Sequence, residues 1–382
     1  MAKEKKKWWS ILGIFAFIIY IFITARPVSE ETVLKPRWII SLESNYPVSL
    51  GDFTGSEAGG KNFLPFRLGD RYGYVGDDGK FVINKTGKGY ISLSEENWTE
   101  YEAYPSSIRV MNPLNEPVLD IEKPGGYPLF LDNRIFIVGS EQNSLAALGP
   151  KGEELWTYDF PAPITCIDAA GGYVLTGTLD GTVILLNSLG VPVITPFEPG
   201  GSRLSVILGC SISRDASRLA IVSGIDNQRF LLLEQAGGEP RSIRDTQRGQ
   251  EGIPPDTYKV VYHEFLTSGF RRPVYISFVD NDEKVAFQRE GGLGIYDIKT
   301  RASINLPLEG DISILDNSGG DRFLFLITSQ GPGQKRFISV RYLGTIVLDV
   351  PFKCDTAFFA RRGSRLYLGG DSTIASFELG RK

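Results

Sequence analysis

An all-β body behind one short apolar helix is the fold that this sequence predicts, and three observations predict it. Beyond residue 37 no stretch has helical periodicity; short runs of Val, Ile, Leu, Phe and Tyr recur between Gly, Asp, Asn and Pro, the texture of strands separated by turns. One segment, an apolar strand, a small residue, a turn and a second apolar strand, returns along the chain, which marks a repeat architecture. Near the N-terminus a single uncharged run breaks the pattern.

The chain opens on a basic tail, residues 1–7, where Lys3, Lys5, Lys6 and Lys7 outweigh Glu4. From Trp8 to Ala25 nothing is charged. At about 1.5 Å per helical residue the run spans roughly 27 Å, close to the hydrocarbon thickness of a bilayer. A single transmembrane helix over residues 8–25 is therefore expected, with Trp8, Trp9 and Tyr20 at interfacial depth. The lysines keep the N-terminus cytoplasmic, so everything after Arg26 is expected outside the cytoplasm, in the periplasm if the cell is bacterial. A cleaved signal peptide begins the same way, but cleavage after Ala25 would put bulky Ile23 where a small residue is preferred. Residues 26–37, with Pro27, Pro36 and mixed charges, read as a linker.

Residues 38–382 carry the repeat. It is visible as YGYVGDDGKFVI from residue 72, IFIVGSEQNSLAAL from 135, YVLTGTLDGTVILL from 173 and LAIVSGIDNQRFLLL from 219. It continues as VAFQREGGLGIYDI from 285, FLFLITSQGPGQKRFISV from 323 and LYLGGDSTIASFEL from 366. Most intervals lie near the roughly 40 to 45 residues of a four-stranded propeller blade, so the expected fold is a β-propeller of about seven blades. Two intervals are longer by about twenty residues and place insertions near 84–107 and 244–272, where such architectures accept loops. Asp78-Gly79, Asp180-Gly181 and Gly291-Gly292 supply the positive φ of hairpin turns. An open ring would expose sheet edges, and the run Trp38 to Leu42 is expected to close it by pairing beside Ile374 to Leu379.

The segment Leu145-Ala-Ala-Leu-Gly-Pro-Lys-Gly-Glu-Glu-Leu-Trp156 resembles the repeat of the PQQ-like (quinoprotein alcohol dehydrogenase-like) β-propellers, in which a strand passes through a tight turn to a docking tryptophan. Residues 183–197 keep the spacing with Val193 in the tryptophan's place, and the other repeats resemble WD40-like blades equally. What the resemblance implies about chemistry is mostly negative. Quinoprotein dehydrogenases are larger, commonly carry a vicinal Cys-Cys near the cofactor and surround Ca²⁺ with acidic and amide groups; no adjacent cysteines exist here. Similar propellers without catalysis include one that assists outer-membrane protein assembly as a binding scaffold, from which this chain departs in having no lipid-attachment cysteine after the apolar run. No functional residue is carried over from either.

Composition narrows the function. The one histidine, His263, cannot build a multi-histidine metal site, and any Ser-His-Asp or Cys-His arrangement would have to run through it. In YKVVYHEFL it sits beside Glu264, on opposite faces of a strand, and reads as a surface or structural residue. Cys166, Cys210 and Cys354 form no CxxC motif and no closed disulfide framework. With 41 Lys and Arg against 45 Asp and Glu, and a basic tail, the body is acidic and no nucleic-acid partner is expected. Asp280-Asn281-Asp282 lacks the glycine and distant glutamate of an EF-hand and reads as turn chemistry, as do Asp77, Asp78 and Asp180. Asn84-Lys-Thr and Asn97-Trp-Thr are glycosylation sequons.

No catalytic, cofactor-binding or metal residue emerges, and no cofactor is expected. The functional candidates are the aromatics of the insertions: Trp98, Tyr101 and Tyr104 in one, and Tyr258, Tyr262 and Phe265 in the other, the latter with Arg271 and Arg272. Tyr, Trp and Arg are the side chains that most often anchor protein interfaces; the competing reading is that these rings pack the insertions onto the body. The expected function is that of a membrane-anchored, extracytoplasmic protein-binding scaffold in an envelope or surface assembly, without enzymatic activity. The alternative is a quinoprotein-like propeller that holds a cofactor or small ligand and acts as an enzyme.

Overall fold

The structure, a computed structural model, describes residues 32–44, 48–49, 63–194, 197–235, 258–267, 269–316 and 323–381, together with Phe17 and Tyr20. Two compact units divide the chain, Met1–Lys35 with Leu379–Lys382, and Pro36–Glu378. The second unit holds the sheets. Of the first, the described residues are strand ends and Phe17 and Tyr20, both helical and exposed.

The described residues form eight sheets arranged as the blades of a propeller. Thr32–Ser41 (β1) and Val48–Ser49 (β2) come first, and blade 1 follows with Phe63–Leu68 (β3), Arg71–Gly76 (β4) and Phe81–Thr86 (β5). Blade 2 is Tyr90–Leu93 (β6), Trp98–Tyr101 (β7), Ser107–Met111 (β8) and Pro117–Glu122 (β9). Blade 3 is Gly126–Leu131 (β10), Arg134–Gly139 (β11), Ser144–Leu148 (β12) and Glu154–Asp159 (β13). Blade 4 has Ile164–Ala170 (β14), Tyr173–Thr178 (β15) and Val183–Leu186 (β16), with Pro192 and Phe197 bridged to β16 where a fourth strand would lie. Blade 5 is Ile207–Ile212 (β17), Arg218–Ser223 (β18), Arg229–Gln235 (β19) and Tyr258–Phe265 (β20). Blade 6 is Ile276–Val279 (β21), Lys284–Arg289 (β22), Gly292–Asp297 (β23) and Ala302–Pro307 (β24). Blade 7 is Asp311–Leu315 (β25), Phe323–Gly331 (β26), Gln334–Arg341 (β27) and Thr345–Phe352 (β28). Blade 8 is Ala357–Arg362 (β29), Arg365–Gly370 (β30) and Thr373–Arg381 (β31), continued outward by β1 and β2.

This corrects the expected fold in two respects. The propeller has eight blades, not seven. The transmembrane helix expected over residues 8–25 is not found: no helix among the described residues is long and apolar enough to cross a membrane, and apart from Phe17 and Tyr20 that segment lies outside the described residues.

β1 lies hydrogen-bonded beside β31, so the beginning of the chain completes the last blade and takes up an edge that would otherwise be open. Trp38, Ile40 and Leu42 then share one buried cluster with Leu64, Phe66 and Leu68 of blade 1 and Tyr367 and Ile374 of blade 8. Asp77, in the β4–β5 turn, latches this seam. Its carbonyl accepts from Trp38 Nε1 at 3.0 Å, and its carboxylate accepts from the Tyr367 hydroxyl at 2.9 Å and pairs with Arg365. Burial, then the Asp77 charge, pushes the Tyr367 pKa up to about 12. The same device recurs three blades on, where Trp156 on β13 donates to Ser188 O at 3.0 Å, in the turn after β16.

Blade 1 is offset by one strand. First strands of neighbouring blades run parallel: Thr165 reaches Ile207 O at 2.5 Å while Ile212 N reaches Asp168 at 3.0 Å, and Val274 N reaches Leu208 O at 2.9 Å while Phe278 N reaches Ser211 at 3.4 Å. β3 instead runs antiparallel to β29. Arg362 at the end of β29 donates to Phe63 O at the start of β3 (2.8 Å), and Gly69 at the end of β3 lies by Thr356, which precedes β29. The turns agree. Gly76–Lys80, Asn112–Glu116, Gly149–Glu153 and Asn187–Val191 close with the same pair of backbone bonds, and their fourth residues, Gly79, Asn115, Gly152 and Gly190, all have positive φ. In blades 2, 3 and 4 this turn follows the third strand, though Thr178–Thr182 after β15 closes alike; with β3 antiparallel to β29, β4 and β5 are third and fourth strands, and YGYVGDDGKFVI is out of register with the other six repeats. No described strand holds the innermost place of blade 1. On β3, Pro65 has no N–H to offer to a neighbour, and Arg362 also pairs with Glu95 of blade 2 at 3.2 Å.

Blade 2 escapes the sequence pattern because its second strand is Trp-Thr-Glu-Tyr. Trp98 and Thr99 are buried and Thr99 satisfies its hydroxyl on Arg109 O at 2.8 Å, but no apolar run announces a strand. What the sequence shows as an insertion near 84–107 is therefore most of the inner half of a blade. In the second expected insertion, Tyr258–Phe265 is the fourth strand of blade 5, and residues 236–257 lie outside the described residues.

Trp38→Ala should cost about 3–5 kcal/mol of unfolding free energy, read from denaturant midpoints at pH 7. Deleting residues 36–42 should leave β31 unpaired and give a domain that aggregates or melts far earlier; an unchanged midpoint would show that closure is made elsewhere.

Candidate functional site

Strand order decides which side chains gather. A blade's first strand leaves one face of the ring, the second returns to it and the fourth ends on it. Links between second and third strands therefore share that face with the links from blade to blade. Tyr104, between β7 and β8, lies on this face, as do Phe265 at the end of β20 and the link from blade 5 to blade 6.

Between blades 6 and 7 the face opens into a cleft of about 510 Å³. Buried Val274 and Ile312 form its apolar floor, and Arg272, Tyr275, Asp311 and Ser329 stand around it. Arg272 and Asp311 pair at 3.4 Å, both with substantial exposure, so the pair contributes little to stability and can open toward a ligand. The guanidinium lies 5.2 Å from the Phe270 ring centroid. Tyr275 donates its hydroxyl to Ser313 O and is held through its backbone by Gln288, whose N–H donates to Tyr275 O at 2.8 Å. Burial raises the Tyr275 pKa. A cation, a carboxylate and hydroxyls thus stand around an apolar floor.

The structure distributes the six sequence-selected aromatics between packing and solvent. Trp98 is buried, donates to Asn112 O at 2.9 Å, and lies 5.6 Å from the Tyr72 ring, with Lys85 Nζ 4.2 Å from its centroid. Tyr101, half-buried, stacks on Tyr90 at 5.9 Å. Tyr258 donates to Ala216 O at 2.6 Å, and Tyr262 stacks on Tyr296 at 4.1 Å while donating to Glu264 at 3.2 Å. Burial, then the Glu264 charge, pushes the Tyr262 pKa up to about 12. Tyr104 is 88% exposed and Phe265 57%, the latter with Arg229 over its ring at 5.6 Å. The two groups belong to blades 2 and 5 and do not form one patch. Of the cleft residues, the sequence had pointed to Arg272; Asp311 and Ile312 carried no signal, because they open an ordinary strand.

His263 is exposed on β20 and Glu264 pairs with Arg289 of blade 6 at 2.6 Å, the alternation expected of a strand. Asp280, Asn281 and Asp282 all adopt positive φ. Asp280 pairs with buried Lys284 at 2.6 Å and Asp282 with Arg214 of blade 5 at 3.1 Å. Among the described residues, no group of three or more His, Cys, Asp or Glu side chains is placed to hold a metal ion. In the first sequon, Asn84 spends its amide on Leu42 O at 2.7 Å.

Comparison with known proteins adds to the geometry. A family model described as "beta-propeller protein" matches residues 1–248 and 250–381. The chain belongs to this β-propeller family. The propeller is 26% identical over 314 residues to an uncharacterised protein of Treponema pallidum (strain Nichols), covering 81% of this chain and 78% of that one. It is similar to BamB from Moraxella catarrhalis in crystal structure, with a TM-score of 0.56 and 13% identity over 91% of this chain and 100% of the other. That likeness shows the fold alone. The matches name the β-propeller and do not single out a PQQ-like or WD40-like type.

Trp98→Ala should destabilise the propeller by about 3–5 kcal/mol, whereas Tyr104→Ala and Phe265→Ala should stay within about 0.5 kcal/mol of the parent, as thermal unfolding will show. Beside Trp98, Glu100 accepts from Lys88 N at 2.6 Å, Tyr72 OH at 3.0 Å and Gly89 N at 3.1 Å. The backbone bond from Lys88, foremost, lowers its pKa. These bonds therefore stabilise the fold above the unfolded glutamate value of about 4.3, and the stabilisation is lost as pH falls through the lower folded-state pKa. Glu100→Gln should lower the unfolding midpoint at pH 7 and converge on the parent in acid.

Proposed function

We propose that this β-propeller is a protein-binding scaffold of an envelope or surface assembly, and that its partner docks on the face that carries the cleft between blades 6 and 7. The observation that carries the reading is the cleft itself: an exposed, openable Arg272–Asp311 pair over Val274 and Ile312 offers charge for register and apolar area for affinity. Tyr104 and Phe265 reach solvent on the same face and supply further aromatic contact. An extracytoplasmic address is supported by the sequence, through the basic tail followed by an uncharged run.

A photocrosslinking residue at Ser329 in the full chain, in its own cells, should capture a discrete partner, and Arg272→Glu should reduce that capture at least tenfold while the unfolding midpoint holds. Capture unchanged by Arg272→Glu and by Ile312→Ala would remove the cleft from the interface. A reporter fused after Lys382 should be active only outside the cytoplasm.

A further inference from the structure

The ring brings together two cysteines that are distant in sequence. Cys166 lies on β14 and Cys210 on β17, the first strands of blades 4 and 5. The side-chain bonds of Thr165 to Ile207 O (2.5 Å) and of Asp168 to Ile212 N (3.0 Å) hold these strands side by side. Cys210 is buried in the apolar cluster of this seam, among Leu175, Val183 and Ile221, and half-buried Cys166 packs against the same cluster. The Cys210 thiol donates to Leu175 O at 3.8 Å. Space for the two thiols is kept by Gly177, which pairs with Cys166 across β14 and β15. A Cβ on Gly177 would stand 2.7 Å from Cys166 Sγ and 2.3 Å from Ile207 Cγ2. Cys354, also buried, precedes β29 and packs against Gly370 of blade 8, away from this seam.

We propose that Cys166 and Cys210 are a redox pair that closes into a disulfide across the seam between blades 4 and 5 when the propeller meets an oxidising thiol–disulfide environment. The oxidant is a disulfide, small-molecule or protein-borne. The Cys166 thiol, the more exposed, loses its proton and attacks one sulfur of that disulfide, forming a mixed disulfide and releasing one thiol. Cys210 then gives up its proton and attacks Cys166 Sγ, releasing the second thiol. One disulfide is consumed and one formed, so the two electrons leave with the two released thiols. The order of attack follows from the site: Cys210 is buried where Cys166 is only half-buried, and the neighbouring Cys166 thiol, then burial, holds the Cys210 thiol well above its ordinary pKa, which makes it the poorer first nucleophile. The link would cross the seam beside blade 4, whose outer place is held, among the described residues, by the isolated bridges of Pro192 and Phe197.

The test is to equilibrate the folded full chain in glutathione buffers from fully reduced to fully oxidised, quench with an alkylating agent in denaturant, and map peptides without reduction. The chain holds three cysteines. Free thiols should fall from three to one, with Cys354 the survivor and the Cys166 and Cys210 peptides joined. Oxidation should raise the unfolding midpoint of the parent and of Cys354→Ser, and leave Cys166→Ser and Cys210→Ser unmoved. Three free thiols across the whole range, or a linkage that includes Cys354, would overturn the proposal.

Discussion

Every seam in this propeller depends on the pairing of β1 with β31. A blade is too thin to bury both of its faces, so each apolar cluster needs a neighbour on either side. The cluster that joins Trp38, Ile40 and Leu42 to Leu64 and Phe66 exists only when the start of the chain has returned to the blade made last. Closure in turn needs more than apolar area, because a strand laid on an edge has no fixed longitudinal position. The Asp77 turn supplies it, by taking the Trp38 indole, the Tyr367 hydroxyl and the Arg365 guanidinium at one point.

The seams farther round repeat this logic with other residues. Arg134 opens the second strand of blade 3 and donates to Gly172 O and Tyr173 O of blade 4, and Arg218 does the same from blade 5 to Asp282 O of blade 6. Phe325, Phe337 and Phe359 join blades 7 and 8 by ring contacts. An aromatic or cationic residue is thus, in this fold, most often a stitch between blades. That is why Trp98, Tyr258 and Tyr262, chosen for their chemistry, are held by packing and hydrogen bonds, and why the accessible groups are Tyr104, Phe265 and the rim of the cleft.

The repeat, the propeller and the closing strand were all legible in the sequence, since each rests on apolar periodicity and turn residues. The blade count was not. Blade 2 hides its second strand behind Thr99 and Glu100, whose polarity is resolved by partners on other strands and turns: Arg109 for one, Lys88, Gly89 and Tyr72 for the other. Blade 1 misleads in the opposite way, because its outer hairpin has the same apolar texture as the inner hairpins of the other blades. The cleft was half legible: Arg272 follows a visible aromatic cluster, but Asp311 and Ile312 gain meaning only once blade 7 stands beside blade 6. The meeting of Cys166 and Cys210 has no local signal at all.

The seam at which β3 meets β29 bears on the whole ring. Eight identical blades would give the axis eightfold symmetry, and anything approaching along it would meet eight equivalent seatings. With Pro65 and the Arg362–Glu95 pair at one position only, that degeneracy is gone. The seam between blades 8 and 1 is thus unlike the others described, and the cleft between blades 6 and 7 stands at one definite angle from it.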